Sequence, residues 1–63
     1  MRARSLSTLD MARIAVRIRR SPELVRRVYR GDPRVLPQNW EAVDEGAAEE
    51  ALPRPPRQAD RAA

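Results

Sequence analysis

"RRSPELVRRVYRGDPRV", residues 19–35, decides how this chain is read. Ser21 is an N-cap residue whose hydroxyl can accept from the free N–H groups of a first helical turn. Pro22 follows it at the first helical position, where its missing N–H costs nothing. Between them and Gly31 lie Leu24, Val25, Val28 and Tyr29 on one side and Glu23, Arg26, Arg27 and Arg30 on the other. Gly31 takes a left-handed stop without penalty, and Pro33 prevents continuation. The segment is therefore a short helix over 22–30, too short to stand alone in water, with one apolar and one arginine-rich face. It needs neighbours on the apolar side. Its basic side calls for either solvent or a polyanion.

Working outward, Met11, Ile14, Ala15 and Ile18 fall at i, i+3, i+4 and i+7, the stripe of an amphipathic helix over 11–18. Asp10 is read as its N-cap, and residues 1–9 as a flexible arm. "DPRVLP" (32–37) is a connector with Val35 turned inward. Pro37 then opens a third helix through "QNWEAVDEGAAEEAL", where Trp40, Val43 and Ala47 share a side and Gly46 weakens the helix by about 1 kcal/mol relative to Ala. "PRPPRQADRAA" (53–63) combines three prolines with small and charged residues and is expected to be a disordered or extended tail. The fold class is all-α: a small three-helix, helix-turn-helix domain over 10–52 with a Pro-rich disordered end. The expected core is Met11, Ile14, Ala15, Ile18, Val25, Val28, Val35 and Val43.

Composition bounds the function. The chain has 63 residues, no cysteine and no histidine. Disulfides and thiolate metal sites are thereby excluded, as are the commonest metal ligand and the usual general base near neutral pH. A chain of this size buries roughly 60% of its unfolded surface and is marginal alone. No catalytic residue, metal ligand or cofactor is expected. The acidic pairs Asp44/Glu45 and Glu49/Glu50 read as a solvated helix side rather than a metal site. No apolar run approaches the roughly 20 residues that span a bilayer, and "MRARSLSTLD" lacks a signal-peptide core. The expected location is the cytoplasm of a bacterial or phage-infected cell, in association with the nucleoid.

The net charge of +4 conceals a division. Residues 1–37 hold ten arginines against Asp10, Glu23 and Asp32, a net +7, and residues 38–63 hold three arginines against six acids, a net −3. Lysine is absent throughout, which fits an arginine-favouring coding bias. Such a bias explains why arginine replaces lysine, but it leaves the segregation unexplained. A basic half beside an acidic half points to a polyanion contacted by the first half alone.

Two short helices, the second capped and basic, follow the helix-turn-helix plan, in which the second helix enters the DNA major groove. Ala15, Ser21, Val25 and Val28 occupy its small-residue, cap and inward positions. The segment further resembles the N-terminal DNA-binding domain of the lactose/purine repressor (LacI) family. Ser21, Val25, Arg27, Val28, Gly31, Val35, Pro37, Val43, Ala47 and Ala48 match that family's pattern in one ungapped register, and Ile14 and Ala15 extend it backwards. The resemblance spans about residues 10–52. Five departures stand out. Arg19-Arg20 replaces a Gly-Val turn, so that Arg19 would hold a left-handed backbone at a cost on the order of 1 kcal/mol. Arg20 stands where an apolar residue seals the family's core, and Leu24 where a Thr often touches phosphate. The family's hinge is only faintly echoed, and its effector-binding domain is absent, so no small-molecule effector is implied.

The resemblance implies site residues. Pro22, Glu23 and Arg27 occupy base-reading positions: Arg27 could bind guanine O6 and N7 in parallel, Glu23 could accept from cytosine N4, and Pro22 offers an apolar contact. Ser21, Arg26 and Arg30, joined by Arg17, Arg19 and Arg20 beside the turn, would hold phosphates. The implied partner is double-stranded DNA. One module covers a half-site, so a homodimer or tethering to a larger protein is expected, with Trp40 and the third helix as the substitute dimer surface if Trp40 is not packed on the second helix. The expected function is that of a small DNA-binding transcriptional regulator. Two other readings fit the same residues. One is a protein-interaction module gripping an acidic partner. The other is a single arginine-rich helix over 11–30 for RNA or an anionic membrane, against which Ser21-Pro22 stands.

Overall fold

The computed structural model describes residues 6–56. Its order is α1 (Thr8–Ile18), α2 (Pro22–Arg30) and α3 (Pro37–Glu49), with no strand among the described residues. The all-α, three-helix expectation holds. α1 packs on both α2 and α3, and the three enclose one small core. Ile14, Val25, Val28 and Val43 are its fully buried side chains, with Ala15, Ala47, Val35, Trp40 and Leu6 around them. Met11 and Ile18, expected inside, pack against this cluster while half-buried. Among the described residues no polar or charged one is buried in it.

Each helix begins for a local reason. α1 starts earlier than expected: Ser7, not Asp10, is its N-cap, and the Ser7 hydroxyl accepts from the Asp10 N–H at 3.1 Å. Asp10 lies in the first turn, where its negative charge faces the positive end of the helix dipole. The expected arm is corrected with it. Residues 8 and 9 are helical, and Leu6 is buried in the core, because a hydrophobic residue ahead of the cap can fold back onto the helix it introduces. α2 starts as read, with the Ser21 hydroxyl accepting from the Leu24 N–H and Pro22 in the first turn. At α3 the cap position is Leu36, which has no side-chain acceptor, so Pro37 alone marks the start.

All three helices stop in the same way. Arg19, Gly31 and Ala51 adopt left-handed backbone at φ 60°, 80° and 58°. In each case the next residue's N–H reaches back five residues: Arg20 to Ala15, Asp32 to Arg27 and Leu52 to Ala47, at 3.0, 3.1 and 2.9 Å. This is the Schellman closure, which satisfies carbonyls left open at a helix end. Only one of the three sites carries glycine. The break at 19–21 also removes the single-helix reading of 11–30. Arg20 is exposed, so the core closes without its side chain.

The chain returns after α3. Tyr29 Oη donates to the Pro53 carbonyl at 2.5 Å, Arg54 forms a two-pronged pair with Asp44, and Pro55 is buried. Residues 53–56 are non-helical as expected, but they are fastened to α2 and α3 rather than loose. The remainder of the expected tail, 57–63, lies outside the described residues.

Candidate nucleic-acid interface

α2 supplies the candidate surface. At about 100° per residue, Val25 and Val28 point to the core with Leu24 and Tyr29 at its borders, which turns Pro22, Glu23, Arg26, Arg27 and Arg30 to the opposite side. All five are exposed. Glu23 and Arg30 occupy the middle of that side, Pro22 and Arg26 the edge beside Tyr29, and Arg27 the edge beside Leu24. Leu24 itself packs against the core, so a phosphate role at that position is gone.

The turn adds to this surface. Arg19, Arg20 and Ser21 are exposed. The left-handed backbone at Arg19 places that residue outside both helices, immediately ahead of the α2 N-terminus. Ser21 uses its oxygen to cap α2, leaving its O–H as a donor for an incoming anion. Among the described residues Arg19, Arg20, Arg26 and Arg30 have no ion-pair partner, so their donors are available.

Two candidate arginines are engaged. Arg17 binds across the fold to the end of α3: its Nε donates to Glu50 Oε2 at 2.7 Å and its Nη1 to Glu49 Oε1 at 3.1 Å. The Glu50 hydrogen bond and charge, reinforced by Glu49, hold the Arg17 pKa above its ordinary value. The structure thus joins Arg17 to α3 rather than to the α2 surface. Glu49 and Glu50, read as a solvated pair, turn out to clasp this arginine. Neither spacing, 32 or 33 residues apart, leaves a local sequence signal. Arg27 sits one helical turn from Glu23, its Nε 3.7 Å from Glu23 Oε2. Both side chains are more than half exposed.

The remaining charged groups stabilise the frame. Asp32 Oδ1 accepts from the Arg34 N–H at 2.9 Å and from Arg34 Nε at 3.3 Å, which holds the Asp32 carboxyl below its ordinary pKa and shapes the connector. Arg54 is held above its usual pKa by Asp44. Trp40 is only 7% exposed and forms part of the core, so it is not available as a dimer surface. The exposed large apolar side chains are Leu9, Val16 and Leu36, and the first two share the outer side of α1 with Arg13. No group of histidine, cysteine or acidic residues among those described could hold a metal ion. No helix among them is long and apolar enough to cross a membrane. No protein family, curated protein or solved structure matches the chain.

Proposed function

We propose that this protein is a small helix-turn-helix DNA-binding protein, acting in transcriptional regulation, with α2 as its major-groove helix. The observation that carries the reading is the pairing of a capped, separately closed α2 with an outer side made only of polar, charged and proline residues. The lactose/purine repressor resemblance of residues 10–52 supports it. Arg19, Arg20, Ser21, Arg26 and Arg30 hold phosphates, while Pro22, Glu23 and Arg27 face base edges. Arg17 leaves the phosphate set, because Glu49 and Glu50 already occupy its guanidinium. The mechanism is steric: the protein occupies a groove and excludes or recruits polymerase. A single α2 covers one half-site, so useful affinity requires a second copy or a tether.

The salt dependence of binding to duplex DNA tests this. Four phosphate-bound arginines correspond to a slope of log K against log salt near −4, and each Arg→Ala change among them flattens it by about 1. Arg17→Ala leaves the slope unchanged. One observation favours a second reading, a protein-interaction module: Leu9 and Val16 are 64% and 78% exposed on the side of α1 turned away from the core. A slope near zero, with retention of an acidic protein instead, would favour that reading.

A further inference from the structure

Among the described residues the Glu23–Arg27 pair is the one place on the α2 surface where a carboxylate stands beside an arginine. Arg26 and Arg30 have no acid within ion-pair distance among the described residues, whereas Arg27 has Glu23 one turn away. The contact is made through Arg27 Nε, at 3.7 Å. At that length it is a charge contact rather than a hydrogen bond, and it leaves the two terminal nitrogens, the fork that grips guanine O6 and N7, unengaged. The pair also carries no net charge. Phosphate is attracted to Arg19, Arg20, Arg26 and Arg30 around it but repelled by Glu23 itself. That carboxylate cannot donate to a phosphate or to a base acceptor; it can accept only from an amino group, which cytosine N4 and adenine N6 both offer in the major groove, and at adenine the neighbouring N7 lone pair repels a carboxylate, which favours cytosine.

Resting on the DNA-binding reading, we infer that Glu23 and Arg27 act as a single reader of a short G·C element, one base presenting a cytosine amino group to Glu23 and another a guanine edge to Arg27. Four residues of helix advance about 6 Å. Stacked bases repeat every 3.4 Å or so, which places the two base pairs no more than about two steps apart. Glu23 is thus the specificity-determining residue. It keeps Arg27 from settling on the phosphate backbone, where it would hold any sequence equally, and it adds a cytosine preference of its own. The ligand is consequently a duplex whose half-site contains two closely spaced G·C pairs, with the surrounding arginines indifferent to sequence.

The test is selection from a randomised duplex pool, with sequencing of the bound fraction, for the wild type, E23Q and R27A in parallel. Both substituted positions are exposed, so the fold is retained. The wild type is expected to enrich two G·C positions within about two steps. E23Q should lose about tenfold discrimination at the cytosine position, weaken the preference at the guanine position as Arg27 shifts towards phosphate, and bind unselected duplex more tightly at low salt. R27A should flatten the guanine position. A wild-type motif that survives E23Q unchanged at every position overturns the inference and leaves the DNA-binding reading intact. Binding with no motif at all also overturns it, and no binding to any duplex overturns the reading on which it rests.

Discussion

Arg19 and Ala51 show how far a single residue can depart from its preferred backbone when the surrounding helices fix it. Both hold left-handed φ at a helix end, a conformation that costs an L-residue about 1–2 kcal/mol and glycine almost nothing. Gly31, at the equivalent place after α2, has no such strain. Glycine also has more freedom to lose on folding, so the net gain from Arg19→Gly or Ala51→Gly is about 0.5–1 kcal/mol. Urea unfolding followed by helical circular dichroism measures it. The two changes separate stability from function: Ala51→Gly raises stability alone, while Arg19→Gly raises stability and weakens DNA binding through a lost phosphate contact. Equal binding by Arg19→Gly and wild type would remove Arg19 from the interface. The sequence marks this position as strained only through the repressor-like register, because Arg19 taken alone carries no turn signal.

At the scale of elements, what was legible were the boundaries built from adjacent residues. Ser21-Pro22 and Gly31 bound α2 where the structure has them, since cap, proline and left-handed glycine each act within a turn. The apolar stripe alone starts α1 three residues late. Ser7 and Asp10 are both good N-caps, and the apolar stripe begins only at Met11, so local chemistry alone does not choose between them. Contacts across the fold left no pattern to read: the Arg17 clasp on α3 and the Tyr29–Pro53 bond each join distant residues. Gly46 is a case where propensity misleads. A Cβ there would stand 2.8 Å from Ile18 Cγ2 and 3.1 Å from Ile14 Cγ2, so its absence lets α1 and α3 close. Both neighbours are β-branched and stiff at χ1, which makes them slow to yield. Gly46→Ala should therefore forfeit the gain of about 1 kcal/mol expected from helix propensity, since overpacking costs about 1–3 kcal/mol. In an Ile18→Ala background most of that clash is gone and the gain should return. A double-mutant cycle by chemical denaturation reads the coupling, and simple additivity of the two changes would mean that the helices can separate freely at this point.

For the molecule as a whole, the charge segregation of the sequence becomes a division of labour. Among the described residues Arg19, Arg20, Arg26 and Arg30 of the basic turn and α2 have no ion-pair partner and Arg27 has only Glu23 of its own helix, while the acids of α3 and its C-terminal end hold Arg17 and Arg54 and so fasten the frame. Tyr29 ties the two halves together, standing at the end of α2 and donating to Pro53 beyond α3. Its phenol is pushed up from 10.0 to about 12, first by burial and then by the nearby charges of Asp44 and Asp10. A raised pKa on an acid means that the folded protein keeps a proton the unfolded chain releases. The contribution of Tyr29 is therefore whole below pH 10.0 and is lost as the pH climbs through about 12. The chain suits this measurement, for it has one tyrosine and no cysteine, and arginine remains charged across the range. Ultraviolet titration of the phenolate should give a midpoint near 12 in the folded protein and near 10 in denaturant. Tyr29→Phe should abolish the alkaline loss of stability between those values, at a cost of about 1 kcal/mol at neutral pH for the hydrogen bond to Pro53. DNA binding by Tyr29→Phe should be unchanged wherever the protein remains folded, because Tyr29 borders the core side of α2 and its hydroxyl is taken by the Pro53 carbonyl. A folded-state midpoint at 10 would show that the segment after α3 does not dock on α2 in solution, and that the basic half folds without it.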